Sequence, residues 1–145
     1  IREPAAFREA IDLMTEPFRD AKVEIVVGME SRGFIFSAPM ALHLDAGFVP
    51  VRKLGKLPAE TISVEYELEY GTDLLEVHRD AFVLGEKVRI VDDVLATGGT
   101  ALAAWDLLER AGAEVVGFEC VVELAFLGGR DLLGSRPVGA LLVVP

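Results

Sequence analysis

Residues 88 to 100 read V-R-I-V-D-D-V-L-A-T-G-G-T. Val88, Ile90 and Val91 form a β-branched run of the kind found in buried parallel strands, and the pattern predicts that the strand ends at Asp92 and Asp93. Ala96 to Thr100 combine two glycines with two threonines, and the period turns helical from Ala101 to Leu108. Strand, polar loop and helix therefore follow one another. That order gathers the backbone N–H groups of a glycine-containing turn and of a helix's first turn around one concave point, which suits a phosphate. Thr97 and Thr100 add hydroxyl donors, and Gly98 and Gly99 let the backbone approach an anion closely. Two carboxylates just before such a cradle suit the hydroxyls of a ribose whose 5-phosphate lies one loop further on. The Walker loop is excluded by its missing lysine, and G-x-G-x-x-G does not occur.

Working outward, strand and helix alternate. Phe7, Ile11, Met14 and Phe18 recur at helical spacing, so 4 to about 16 reads as an amphipathic helix stopped or kinked by Pro17. Val23 to Val27 reads as a strand, Gly28 to Gly33 as its loop, Phe34 to Leu44 as a helix with Ala38, Ala41 and Leu42 inward, and Phe48 to Val51 as the next strand. Glu114 to Leu124 and Val138 to Val144 are two further strands, with a break at Gly128-Gly129-Arg130 and a short helix at Leu132 and Leu133 between them. Ala101, Trp105, Leu108 and Ala111 form the inward stripe of the helix after the central loop. The alternation predicts an α/β fold, a mostly parallel central sheet flanked by helices with right-handed crossovers.

Thr61 to Tyr70 alternates strictly, placing Val64, Tyr66, Leu68 and Tyr70 on one face and Glu65, Glu67 and Glu69 on the other. After a turn at 71 to 73, Leu74 to Val77 returns, which predicts a two-stranded excursion outside the main sheet.

At 145 residues with 52% hydrophobic and 26% charged side chains, the chain reads as one globular domain spanning 1–145. No apolar run reaches membrane-spanning length, so a soluble, cytoplasmic protein without a membrane partner is expected. Cys120, the single cysteine, sits in an apolar run and is expected to be buried and inert. His43 and His78 lack partners at metal-ligand spacing. A net charge of −10 argues against nucleic acid as a partner. Attraction of an anionic ligand must then be local: Ser31 and Arg32 in the first loop, and Arg52, Lys53 and Lys56 after the second strand, stand at the carboxyl edge where open α/β sheets bind ligands.

The central stretch resembles the signature of type I phosphoribosyltransferases, whose substrate is phosphoribosyl pyrophosphate. Three further blocks, G-M-E-S-R-G-F at 28 to 34, R-K-L-G-K-L-P at 52 to 58 and L-E-Y-G at 68 to 71, resemble the adenine-using branch of that family. The resemblance implies the type I fold with a β-hairpin lid, and transfer of the 5-phosphoribosyl group to adenine, giving AMP and pyrophosphate. It implies Ala96, Thr97, Gly98, Gly99 and Thr100 as the 5-phosphate loop, and Asp92 and Asp93 as the ribose-binding pair that favours a cationic sugar. Ser31, Arg32 and Lys53 become pyrophosphate contacts, with a cis peptide before Ser31. Val94 contacts the base, and Glu69 is the acid/base beside Tyr70. Mg²⁺ is implied as cofactor, carried by the pyrophosphate and ribose hydroxyls with no direct protein ligand. A homodimer is implied, with a basic side chain of 52–56 reaching the partner. The family's base-selecting hood lies upstream of the position of Ile1, so a chain lacking that segment is expected. The competing readings are another purine base, which the second and third blocks disfavour, and a non-catalytic sensor of phosphoribosyl pyrophosphate, which would want a DNA-binding appendage and a basic face.

Overall fold

The computed structural model describes residues 1–68 and 71–145. Helix α1 (Pro4–Thr15) begins with proline in its first turn and passes at Pro17 into a 3₁₀ turn (Glu16–Phe18). Strand β1 (Ile25–Met29), helix α2 (Gly33–His43) and strand β2 (Gly47–Lys53) follow. Next come the hairpin β3 (Thr61–Leu68) and β4 (Gly71–His78), strand β5 (Lys87–Leu95), helix α3 (Gly99–Arg110) and strand β6 (Glu114–Leu124). Helix α4 (Gly129–Leu133) and strand β7 (Val138–Val144) complete the order.

The sheet order is β3-β4-β2-β1-β5-β6-β7. The five strands β2, β1, β5, β6 and β7 run parallel, as the alternation of strand and helix predicts. The chain winds outward from β1 through α2 to β2, and in the other direction from β5 through α3 to β6. The reversal lies between β1 and β5, and it is the topological switch point at which such sheets leave a crevice.

Two apolar layers hold the sheet. One packs Ile11, Met14 and Phe18 with Phe36, Met40 and Ala41 of α2. The other packs Ala101, Ala104, Trp105, Leu107 and Leu108 of α3 against Val27, Ile90, Val64 and Leu75, so the hairpin belongs to the α3 side. Among the described residues no helix is long and apolar enough to cross a membrane.

Four local expectations need correction. β1 starts at Ile25 and runs to Met29, since its residues pair with Gly47–Val51 of β2; Val23 lies before it. On α2 the buried face is Gly33, Phe36, Ser37, Met40 and Ala41, a continuous i, i+3, i+4 stripe, whereas Leu42 is 83% exposed. Asp92 and Asp93 do not follow β5 but lie within it, because the long β6 keeps supplying backbone partners as far as Leu95↔Glu123. The hairpin is not outside the sheet. β4 joins β2 through the antiparallel pairs Arg52↔Glu76 and Lys53↔Leu75.

Candidate active site

The crevice forms because β1 and β5 part company. Their pairing stops at Gly28↔Val91, while β5 continues beside β6 for four more residues. The side chains of Asp92 and Asp93 thus come to the open carboxyl edge above the end of β1. Gly33, the first residue of α2, makes the fit close: a Cβ there would stand 2.8 Å from the Val91 carbonyl oxygen and 3.0 Å from Asp92 Oδ1. No larger residue lets α2 start this near β5.

A cavity of about 670 Å³ opens at this point. Ser31 and Arg32 line it from the loop after β1, and Lys53 and Lys56 from the end of β2. Asp92, Asp93 and Val94 form its floor, and Ala96, Thr97, Gly98 and Thr100 its wall toward α3. Tyr66 and Leu68 of the hairpin face it from above. The structure therefore brings the predicted site residues together, with two exceptions. Gly99 is not among the walls; it is the first residue of α3, and a Cβ there would lie 3.8 Å from the Glu67 carbonyl oxygen of the hairpin passing over it. Glu69 and Tyr70 lie outside the described residues.

The 96–100 segment joins β5 to α3 through a left-handed glycine. Gly98 adopts φ +86, a left-handed conformation that favours glycine, and caps α3. Leu102 N–H donates to Gly98 carbonyl at 2.9 Å, so the preceding N–H groups of the first turn have no helical partner and are free to meet an anion. In the other loop the Glu30–Ser31 peptide bond is cis.

The charges of the cavity are arranged in pairs. Arg32 Nε lies 2.6 Å from Asp93 Oδ2, with Arg32 73% exposed, so the guanidinium spans from the loop after β1 to the Asp92–Asp93 pair. Asp93 N–H donates to Asp92 Oδ1 at 2.8 Å. Burial pushes the Asp92 carboxyl up to about 8, and the adjoining Asp93 carboxylate adds to the shift. Lys53 Nζ lies 2.7 Å from Asp73 Oδ2 in β4. This bond raises the Lys53 ammonium above its ordinary range and lowers the Asp73 carboxyl. Tyr66 hydroxyl donates to the same Asp73 at 3.5 Å, and its own burial pushes that phenol up.

Two buried carboxylates escaped the sequence reading. Glu30, 7% exposed at its side chain, accepts from Lys53 N–H at 2.9 Å and Arg52 Nε at 3.3 Å and pairs with Lys56. Burial opposes ionisation there, but the hydrogen bonds from Lys56 and Lys53 prevail and hold its carboxyl below the usual range. Glu76 accepts from the Lys56 and Leu57 N–H groups, each at 3.1 Å, and from Thr61 Oγ1 at 3.3 Å. Together they fold the 52–57 segment back onto the sheet edge. Arg52 and Lys56, expected as candidates to reach a partner subunit, are both engaged by Glu30 of their own chain. A signal for Glu76 exists in the sequence: it is the one charge in the run Leu74 to Val77.

A paired-carboxylate floor between two loops, set at the switch point of a parallel sheet, is the arrangement of a phosphoribosyltransferase fold. The family model described as phosphoribosyl transferase domain matches residues 1–128, and the chain belongs to this family. Within it, the chain falls among the adenine phosphoribosyltransferases. The enzyme of that name from Chloroflexus aurantiacus is 56% identical over 137 residues, covering 94% of this chain and 79% of that one. The crystal structure of the Rhodothermus marinus adenine phosphoribosyltransferase superposes with a TM-score of 0.94 at 52% identity, covering 98% of this chain and 81% of that one. The Saccharomyces cerevisiae enzyme, complexed with an imino-altritol bisphosphate and adenine, gives 0.90 at 47% identity, covering 97% and 82%.

Proposed function

We propose that the chain, acting as a single domain over 1–145, transfers the 5-phosphoribosyl group of phosphoribosyl pyrophosphate to adenine, giving AMP and pyrophosphate. The observation that carries this reading is the convergence of the two loops and the Asp92–Asp93 floor on one cavity. A ribose with phosphate groups at both ends fits that spacing of anion sites and hydroxyl acceptors.

The bond that breaks joins ribose C1 to the pyrophosphate oxygen; the bond that forms joins C1 to N9 of adenine, whose proton is released. Between them the sugar becomes oxocarbenium-like, positive at the ring and negative at the leaving group. Groups already fixed around those charges lower the barrier because they need not reorganise. Asp92 and Asp93 accept from the 2- and 3-hydroxyls and favour the cationic ring. Ser31, Arg32 and Lys53 receive the leaving pyrophosphate, for which Arg32 exchanges Asp93 and Lys53 exchanges Asp73. The 96–100 loop anchors the 5-phosphate away from the chemistry and supplies orientation, worth several kcal/mol. Val94 presses on a face of the base. Glu69 is assigned the proton at N9 or N7 from the family pattern.

Mg²⁺ suits the donors present: magnesium sites favour one or two carboxylates together with substrate phosphates. Among the described residues no group of three or more His, Cys, Asp or Glu is placed to hold a metal. The ion would be held by pyrophosphate and ribose oxygens near Asp92 and Asp93, and when bound it neutralises part of the pyrophosphate charge. A cytoplasmic homodimer completes the reading. The roles are tested in the reverse direction, by adenine release from AMP and pyrophosphate. Asp92→Asn and Asp93→Asn are expected to lose kcat far more than KM. A raised KM with kcat unchanged would instead mean that the carboxylates bind substrate and transition state equally, and would remove them from the transition-state role.

A further inference from the structure

The 5-phosphate loop rests on backbone rather than on side chains. Gly98 and Gly129 meet face to face: a Cβ on Gly98 would stand 2.7 Å from the Gly129 carbonyl oxygen and 3.0 Å from its Cα. A Cβ on Gly129 would overlap the Ala96 carbonyl and stand 3.1 Å from Gly98 N. The position of the loop is therefore set by where α4 begins.

What fixes α4 is its second residue. Arg130 Nε donates to Glu123 Oε1 at 2.9 Å and Oε2 at 3.1 Å, a second guanidinium nitrogen also pairs with Oε2, and Nη1 donates to the Val138 carbonyl at 2.8 Å. The Glu123 side chain is 5% exposed. Glu123 is paired in register with Leu95, the last residue of β5 before the loop, and with Val143 of β7. The connections close a ring: Leu95 leads into the loop, the loop seats on Gly129, Arg130 follows Gly129, and Arg130 forks onto the residue beside Leu95. A bidentate guanidinium–carboxylate pair fixes direction as well as distance. Neither Arg130 nor Glu123 is a wall of the cavity.

We infer that Arg130, through its fork onto Glu123, is a positioning residue for the 5-phosphate: it holds Gly129 beneath Ala96–Gly98 and so keeps the loop's N–H groups aimed at the anion. The inference rests on the reading of 96–100 as the phosphate loop. A clamp that merely fastened α4 to the sheet would affect melting without distinguishing one ligand from another. A positioning clamp distinguishes them, because the pyrophosphate loop at Ser31 and Arg32 is built on β1 and α2, whereas the 96–100 loop seats on Gly129 of α4.

The test is calorimetric titration of the full chain with ribose 5-phosphate and, separately, with Mg²⁺ and pyrophosphate. Wild-type chain is compared with Arg130→Ala, Arg130→Lys and Gly129→Ala. Arg130→Ala and Gly129→Ala are expected to weaken ribose 5-phosphate about ten- to a hundredfold, the scale of a misplaced anchor, with pyrophosphate affinity unchanged. Arg130→Lys, which keeps the charge and loses the fork, should fall between, and it serves as the reading if the alanine variant does not fold. Unchanged ribose 5-phosphate affinity in the Arg130 variants, or equal weakening of both ligands, overturns the inference. Wild-type chain that binds no ribose 5-phosphate would instead overturn the phosphate-loop reading itself, before any variant is compared.

Discussion

Replacing Asp92 by Asn should make the free chain more stable at alkaline pH while abolishing most of its turnover. Burial raises the Asp92 carboxyl to about 8 in the folded chain, against an ordinary value of 3.8. The folded state therefore binds more protons than the unfolded state between those values, and stability falls as pH rises through that window. A tenfold change in proton affinity corresponds to about 1.4 kcal/mol, so the full difference would be on the order of 5 kcal/mol. Relaxation of the site reduces the expected effect to about 2–3 kcal/mol. Asn presents the same Oδ1 to the Asp93 N–H but cannot ionise, so it lacks this slope. At about 2–4 °C per kcal/mol for a chain of this size, the melting temperature of Asp92→Asn relative to wild type should rise by about 5–10 °C between pH 5 and pH 9. Differential scanning fluorimetry of the two proteins at matched ionic strength reads this directly, since titrations remote from the Asp92–Asp93 pair cancel in the difference and what remains belongs to the coupled pair. Parallel curves, or an advantage for Asn confined to acid pH, would refute the argument that the free site holds a buried carboxyl ready to ionise against substrate hydroxyls.

Three further outcomes follow from the same geometry. Arg32→Ala should raise the Kd for phosphoribosyl pyrophosphate at least about tenfold, read by calorimetry, while the unfolding free energy changes by under about 1 kcal/mol, because the Arg32 end of its pair with Asp93 is exposed. Gly98→Ala combines a φ of +86 with a Cβ 2.7 Å from the Gly129 carbonyl, and should cost about 1–3 kcal/mol in denaturant unfolding as well as ribose 5-phosphate binding. Cys120, fully buried with its thiol pushed up to about 12 by that burial, should react with a thiol-specific disulfide reagent only when the chain is unfolded.

The sequence made the fold legible where periodicity and punctuation are local. The alternation from Thr61 predicts β3, and β-branched residues followed by Thr97, Gly98 and Gly99 predict the strand, loop and helix beside the cavity. It was silent where a distant partner decides. β5 runs through Asp92 and Asp93 because β6 continues beside it, and the hairpin joins the sheet because Arg52 finds Glu76 across it. Neither pairing leaves a mark in the strand's own residues. The apolar residues of α2 admit more than one inward face, and only packing against α1 and β1 selects Phe36 and Met40 over Leu42. At the site, residue types that bind anions stood out. Glu30, Glu76 and Glu123, which hold those residues in place, were not singled out, because their burial depends on partners from distant segments.

The central claim is most directly tested by pyrophosphate release from the chain supplied with Mg²⁺, phosphoribosyl pyrophosphate and, in turn, adenine, hypoxanthine, guanine and xanthine. The account predicts release with adenine and none with the other three. Release with an oxopurine in place of adenine, or tight binding of phosphoribosyl pyrophosphate without release for any base, would contradict it.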